Sequence, residues 1–146
     1  MRSGCLLGQG GAVAEPVHTL IVEDEEQVRF FLRETLRREG HLVAEVASGE
    51  QALDVLQDRS FDLAILDVVL GGQVDGFRVL EAIRERWPGT ATIVLTAHGS
   101  FESAVQALRD GVDGYLLKPV RAAELRRAVE EVLEKRARHR DSAPTV

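Results

Sequence analysis

Four places in the chain combine reactive residue types with positions that would expose them. Glu23-Asp24-Glu25-Glu26 follows the apolar run His18–Val22, Asp67 follows Leu63–Leu66, Thr96 closes Thr92–Thr96, and Lys118-Pro119 follows Tyr115–Leu117. Carboxylates gathered in one place repel and raise one another's pKa unless a cation joins them. Mg²⁺ suits such oxygen ligands, because it is held by one or two carboxylates and keeps several waters. Lys118 adds a positive charge on a flexible stem, and Thr96 adds a hydroxyl. A phosphoryl group arriving at Asp67 would find its oxygens bridged by metal, Lys118 and Thr96. That is the positioning and charge stabilisation phosphoryl transfer requires.

Each feature alone has a plainer reading. Glu23–Glu26 suits a helix N-terminus, with Asp24 as cap and Gln27 three residues on. Lys118 suits a counter-ion to Asp67, Thr96 an ordinary strand residue, and Tyr115 a core aromatic. Asp67 is harder to dismiss. A carboxylate at the end of an apolar run costs on the order of several kcal/mol to bury unless it is paired or metal-bound. The conjunction favours a site.

The elements that must position these residues follow from the apolar patterning. The runs His18–Val22, Leu42–Ala47, Leu63–Leu66, Thr92–Thr96 and Tyr115–Leu117 are short, and several are continuous, as in parallel strands covered on both faces. Between them lie helical stripes, Val28, Phe31, Leu32 and Leu36 in one and Leu125, Val129, Val132 and Leu133 in another. Ser48 with Gln51 reads as a capping box for the second helix. Asp75 or Gly76 opens the third and Ser100 the fourth, while Gly40, Gly111 and Trp87-Pro88-Gly89 mark helix ends. Five strands alternating with five helices predict an α/β, doubly wound parallel sheet, whose ligand site lies beyond the carboxyl ends of the strands. The acids, Asp67, Thr96 and Lys118 all fall on that edge.

The chain has 146 residues and a formal net charge of −6, which suits one domain and argues against nucleic acid as a direct partner. The single cysteine, Cys5, gives no disulfide framework, and no apolar run has membrane-spanning length, so no membrane partner and a cytoplasmic location are expected. Residues 1–16 lack the apolar segment of a signal peptide. They read as a disordered N-terminal extension, or as sequence upstream of the true start. The domain is expected at 17–136, with a flexible polar tail at 137–146. His18, His41, His98 and His139 lack metal-ligand spacing and read as surface or loop residues. Phe30 lies off the first helical stripe and reads as an exposed apolar residue.

His18-Thr19-Leu20-Ile21-Val22-Glu23-Asp24-Glu25, Asp62–Asp67, Ile93-Val94-Leu95-Thr96-Ala97 and Tyr115-Leu116-Leu117-Lys118-Pro119 stand in the order and spacing of a known family. From about Val17 to Arg136 the chain resembles the receiver domains of two-component response regulators. The resemblance implies a flavodoxin-like sheet in the order 2-1-3-4-5. It implies that Asp67 accepts a phosphoryl group from a sensor histidine kinase or phosphotransfer protein. Glu23 and Asp24 match the acidic pair that holds Mg²⁺, with the Val69 carbonyl as a further ligand. Thr96 and Tyr115 match the residues that move on activation, and the Lys118–Pro119 bond is expected to be cis. The face of the fourth helix, fifth strand and fifth helix would then signal to a downstream protein or output domain, with a phosphorylation-dependent dimer as a further partner. Helix one, with Phe30, lies where receivers meet their kinases. Val69 and His98 match the side chains that flank the water's approach to the phosphate, and their types imply a long-lived phosphoprotein. The chain departs from the family in the loop Leu70–Gly76, which is one residue longer than usual and lacks a proline.

Rival functions fit less well. A phosphatase of the haloacid dehalogenase kind places a second Asp two residues after the first as general acid, and Val69 stands there, so a turnover enzyme is not expected. A flavodoxin would want hydroxyl or backbone donors after strand one rather than four acids. A receiver-like module that never takes phosphate typically lacks a site residue, and none is missing here.

Overall fold

The computed structural model describes residues 15–68, 70, 72–97 and 111–142. Five strands, β1 (His18–Val22), β2 (Leu42–Val46), β3 (Leu63–Asp67), β4 (Ala91–Thr96) and β5 (Gly114–Leu117), form one sheet in the order β2-β1-β3-β4-β5. Every neighbouring pair is parallel, so the expected order 2-1-3-4-5 is the observed one. Among the described residues the helices are α1 (Glu26–Arg38), α2 (Gly49–Leu56), α3 (Gly76–Arg86) and a C-terminal helix, Ala122–Ser142. The helix expected to open at Ser100 lies outside the described residues, as do Cys5, Val69, Gly71 and His98. The C-terminal helix continues past Arg136, where the sequence patterning places the end of the domain. No described helix is long and apolar enough to cross a membrane.

The sheet separates two apolar layers, because alternate strand residues point to opposite faces. Leu20, Val22, Ala64 and Leu66 pack with Ala52, Leu56, Val79, Leu80 and Ile83 of α2 and α3. Ile21, Leu63, Ile65, Ile93 and Leu95 pack with Leu32, Leu36, Leu125, Val129 and Val132 of α1 and the C-terminal helix. The central strands β1 and β3 are therefore apolar on both sides, which accounts for their continuous runs.

Helix ends follow local chemistry. Ser48 Oγ accepts the Gln51 N–H at 3.1 Å, while Gln51 Oε1 reaches back one residue beyond the cap to the Ala47 N–H at 2.8 Å. Asp75 Oδ1 accepts the Arg78 N–H at 3.0 Å and caps α3. After α1 the chain turns through Gly40 at φ +90°, with the Gly40 N–H bonded to Arg37 O and the His41 N–H to Leu36 O. This is a Schellman termination, and it requires a residue that tolerates positive φ.

One expectation is corrected. His41 is buried, not at the surface, and its Nδ1 lies 2.8 Å from the Thr19 hydroxyl. Register explains this. Leu42 pairs with His18 at the start of the sheet, which sets His41 and Thr19 together under α1's end. Burial pushes its pKa below the ordinary histidine value.

The long loop before α3 is tied to α2. Gly72 adopts φ +95°, and the Gln73 N–H donates to Glu50 Oε2 at 3.2 Å. A Cβ on Gly49 would meet the Val74 carbonyl oxygen at 2.3 Å, so the loop backbone lies directly on the first residue of α2.

Candidate functional site

Strand register brings the reactive residues to one edge. Val22 pairs with Leu66, Asp67 with Leu95, and Thr96 with Leu117. Glu23 and Lys118 follow one residue after β1 and β5, so they flank Asp67 and Thr96 at the same level. The Val68 N–H to Leu95 O and Lys118 N–H to Thr96 O bonds, 3.1 and 2.8 Å, carry the ladder one step past the strands. The α3 N-terminus closes down on this edge, with the Gly76 N–H bonded to Val68 O at 3.2 Å.

Lys118 sits at the centre. Its Nζ lies 2.7 Å from Asp67 Oδ2, 2.9 Å from Glu23 Oε1 and 3.1 Å from Glu25 Oε1. Asp67 and Thr96 are buried and Glu23 is fully so, whereas Glu25 and Asp24 are exposed. Glu23 Oε2 accepts the Glu25 N–H at 3.0 Å. The contact of Glu23 Oε1 with Lys118 is ionic and lacks hydrogen-bond angles, leaving that buried oxygen without a hydrogen-bond partner. Burial pushes the Glu23 carboxyl up to about 7 and the charge of Asp67 adds to this, against the lowering effect of Lys118 and the Glu25 N–H. Burial opposes the Lys118 ammonium, yet its ion pairs with Asp67, Glu23 and Glu25 outweigh it and hold its pKa above the ordinary lysine value.

Among the described residues, oxygens of Glu23, Glu25 and Asp67 lie within 4.8 Å of one another. Glu23 and Asp67 were the sequence's candidates; Glu25 was not singled out, and Asp24 stands outside this trio. A trio of carboxylates with one buried oxygen that makes no hydrogen bond is a donor set that fits a hard divalent cation. For Glu23 and Glu25 the plainer reading as helix caps is not what the geometry provides. Glu25 occupies the N-cap of α1 without a side-chain cap bond, and Glu23 turns toward Lys118.

Tyr115 pairs with Val94 beside this edge, and its buried hydroxyl has no hydrogen-bond partner among the described residues. The Lys118–Pro119 bond is cis. Phe30 is exposed, with the Arg33 guanidinium 5.0 Å from its ring centre.

Residues 19–130 match the model of a family described as the response regulator receiver domain. The chain is 40% identical over 116 residues to the transcriptional regulatory protein AfsQ1 of Streptomyces coelicolor, covering 80% of this chain and 51% of that protein. It is 36% identical over 125 residues to the transcriptional regulatory protein TcrA of Mycobacterium tuberculosis, covering 86% and 49% respectively. The chain thus spans about half the length of these curated relatives. A solved CheY-like receiver domain protein from Methanospirillum hungatei superposes with a TM-score of 0.80 at 28% identity, covering 86% of this chain and 99% of that one.

Proposed function

This chain belongs to the response regulator receiver family of two-component systems, and from that premise we propose that it is a phosphorylation switch whose acceptor is Asp67. The observation that carries the reading is the convergence of Asp67, Glu23 and Lys118 at the carboxyl edge, with Nζ 2.7 Å from the acceptor oxygen. Asp67 attacks the phosphorus of a phosphohistidine, so that a P–O bond forms as the P–N bond breaks and the leaving imidazole is protonated from solvent. Lys118 turns from its carboxylate partners to the phosphoryl oxygens, and Thr96 supplies a hydroxyl from the neighbouring strand end. Glu23, Asp24 and Asp67, with the Val69 carbonyl, would hold Mg²⁺, which when bound neutralises charge on the transferring group. The chain acts on its own phosphorylation and dephosphorylation and is not a turnover enzyme.

The partners are a histidine kinase or phosphotransfer protein and a downstream protein or output domain, in the cytoplasm, with no direct nucleic-acid or membrane contact by residues 17–136. Thr96 and Tyr115 relay the phosphate to the face of β5 and the C-terminal helix, where a phosphorylation-dependent dimer is one outcome. The Tyr115 hydroxyl, buried and without a hydrogen-bond partner among the described residues, supports this, since a buried hydroxyl gains by moving to a partner. Incubated with Mg²⁺ and acetyl phosphate, the wild type should gain one acid-labile phosphate by intact mass and Asp67→Asn none. Equal labelling of the two would overturn the assignment. A long phosphoprotein lifetime is part of the same proposal, because the Val69 side chain offers the attacking water no hydrogen bond, and His98, which orients a water when neutral, pairs as a cation with the phosphate and shields it. Val69→Asn or His98→Glu should speed phosphate release from purified phosphoprotein, and unchanged rates in both would remove these positions from control of the lifetime.

A further inference from the structure

The turn that presents the acids is held by a second set of charges, on α1 and β2. Arg29 donates from Nη1 to the Glu23 carbonyl oxygen at 2.9 Å and from Nε to Glu45 Oε1 at 3.1 Å. Arg33, one helical turn further on, donates from Nη1 to Glu45 Oε2 at 2.6 Å but is not bonded to Glu23. The Glu23 carbonyl needs such a donor. Its own N–H bonds to Val46 O at 3.2 Å, but the β1–β2 pairing ends at Val22 and Val46, so no strand N–H remains for the carbonyl. Arg29 is largely buried, with 18% of its side chain exposed, and its planar fork spans both acceptors at once. Glu45 is fit to brace it. Burial opposes its ionisation, yet the Arg33 and Arg29 guanidiniums outweigh that and hold its carboxyl below the usual range.

We infer that Arg29, braced by Glu45, is a positioning residue for the cation site: it fixes the Glu23 backbone and thereby the turn carrying the acids. The inference rests on the reading that these acids hold Mg²⁺. It has a sign that a purely electrostatic role would not share. Arg29 is a cation close to a cation site, so by Coulomb's law alone its removal strengthens Mg²⁺ binding. If it positions the ligands, its removal weakens binding, as loss of groups supporting metal ligands generally does.

The test is titration of the whole protein with Mg²⁺ alone, followed by the amide chemical shifts of Glu23 and Asp67. Wild type should saturate. Arg29→Ala should need about tenfold more Mg²⁺, and Arg29→Lys, which keeps the charge and the fold but not the fork, should fall between. Arg33→Ala removes an equal charge from the same helix and the same Glu45, and should titrate with the wild type or tighter. Arg29→Ala and Arg29→Lys titrating at or below wild-type concentrations would overturn the inference, as would Arg33→Ala weakened as much as Arg29→Ala. A wild type that shows no response to Mg²⁺ would instead remove the Mg²⁺ reading itself.

Discussion

Glu23 is the residue most in conflict with its surroundings. It is fully buried, one carboxylate oxygen lacks a hydrogen bond, and its pKa rises from 4.5 to about 7. A carboxyl whose folded pKa lies above its unfolded value binds more protons when folded. Its contribution to stability is therefore greatest below the unfolded value and is lost as pH rises through the folded one. In Mg²⁺-free buffer, wild type should lose stability relative to Glu23→Gln between about pH 5.5 and about pH 8, by up to about 2 kcal/mol at about 1.4 kcal/mol per pKa unit. Denaturant melts of both proteins at the two pH values measure this, and parallel pH dependences would contradict it. That Glu23, Asp67, Thr96 and Lys118 share an edge was legible in the sequence, because parallel strands all end on one side. That Glu25 reaches Lys118 was not. A strand-to-helix turn follows neither the period of two nor that of 3.6, so four consecutive acids give no sign of which turns inward. His41 escaped for a related reason, since its burial depends on the pairing of β1 with β2 and not on its neighbours in the chain.

The site is only as exact as the fit between α3 and β3. A Cβ on Gly76 would meet the Asp67 carbonyl oxygen at 2.1 Å and the Val68 Cα at 2.7 Å, and both are backbone atoms that cannot swing away. Gly76→Ala must push the start of α3 off the end of β3, at a cost of about 1–3 kcal/mol, and displace the strand end that presents Asp67. Gly89→Ala meets nothing within 4 Å and is the control. Thermal melts should show the first destabilised and the second nearly neutral, with acetyl phosphate labelling slowed only in the first. Undiminished labelling of a destabilised Gly76→Ala would separate helix packing from the site. Among the elements, strand existence and order of type were readable because β1, β3 and β4 are apolar on both faces, and Ser48 and Asp75 announced α2 and α3. Strand boundaries shifted by a residue: β2 ends at Val46, β3 extends to Asp67, and β4 and β5 begin at Ala91 and Gly114. The terminal residue of a strand is decided by a partner's backbone, which side-chain patterning does not report. The close approaches at Gly49 and Gly76 were equally invisible, because a glycine before a helix reads the same whether it caps, turns or yields space to another chain segment.

For the molecule as a whole, net charge, length and patterning were enough to predict a single α/β layer structure, while the Arg29–Glu45 brace depends on how α1 lies over β2, which neither element's own pattern reports. The sheet order has a further consequence. Asp67 closes β3, which is paired on both sides by β1 and β4 and sealed by both apolar layers, whereas Tyr115 lies on β5, which has a single strand neighbour. Amide hydrogens in such a sheet escape to solvent by different routes. Those of Ala64–Leu66 should exchange only when the whole domain unfolds, and those of Tyr115–Leu117 through cheaper local opening. Deuterium uptake read strand by strand, in native buffer and at sub-denaturing guanidinium, will show whether the two sets share one opening free energy or two. With two, the chemistry proposed for Asp67 is anchored in the last strand to open while the response proposed for Tyr115 is drawn from one that opens earlier, so Tyr115 can be displaced without loosening the bed on which Asp67 stands.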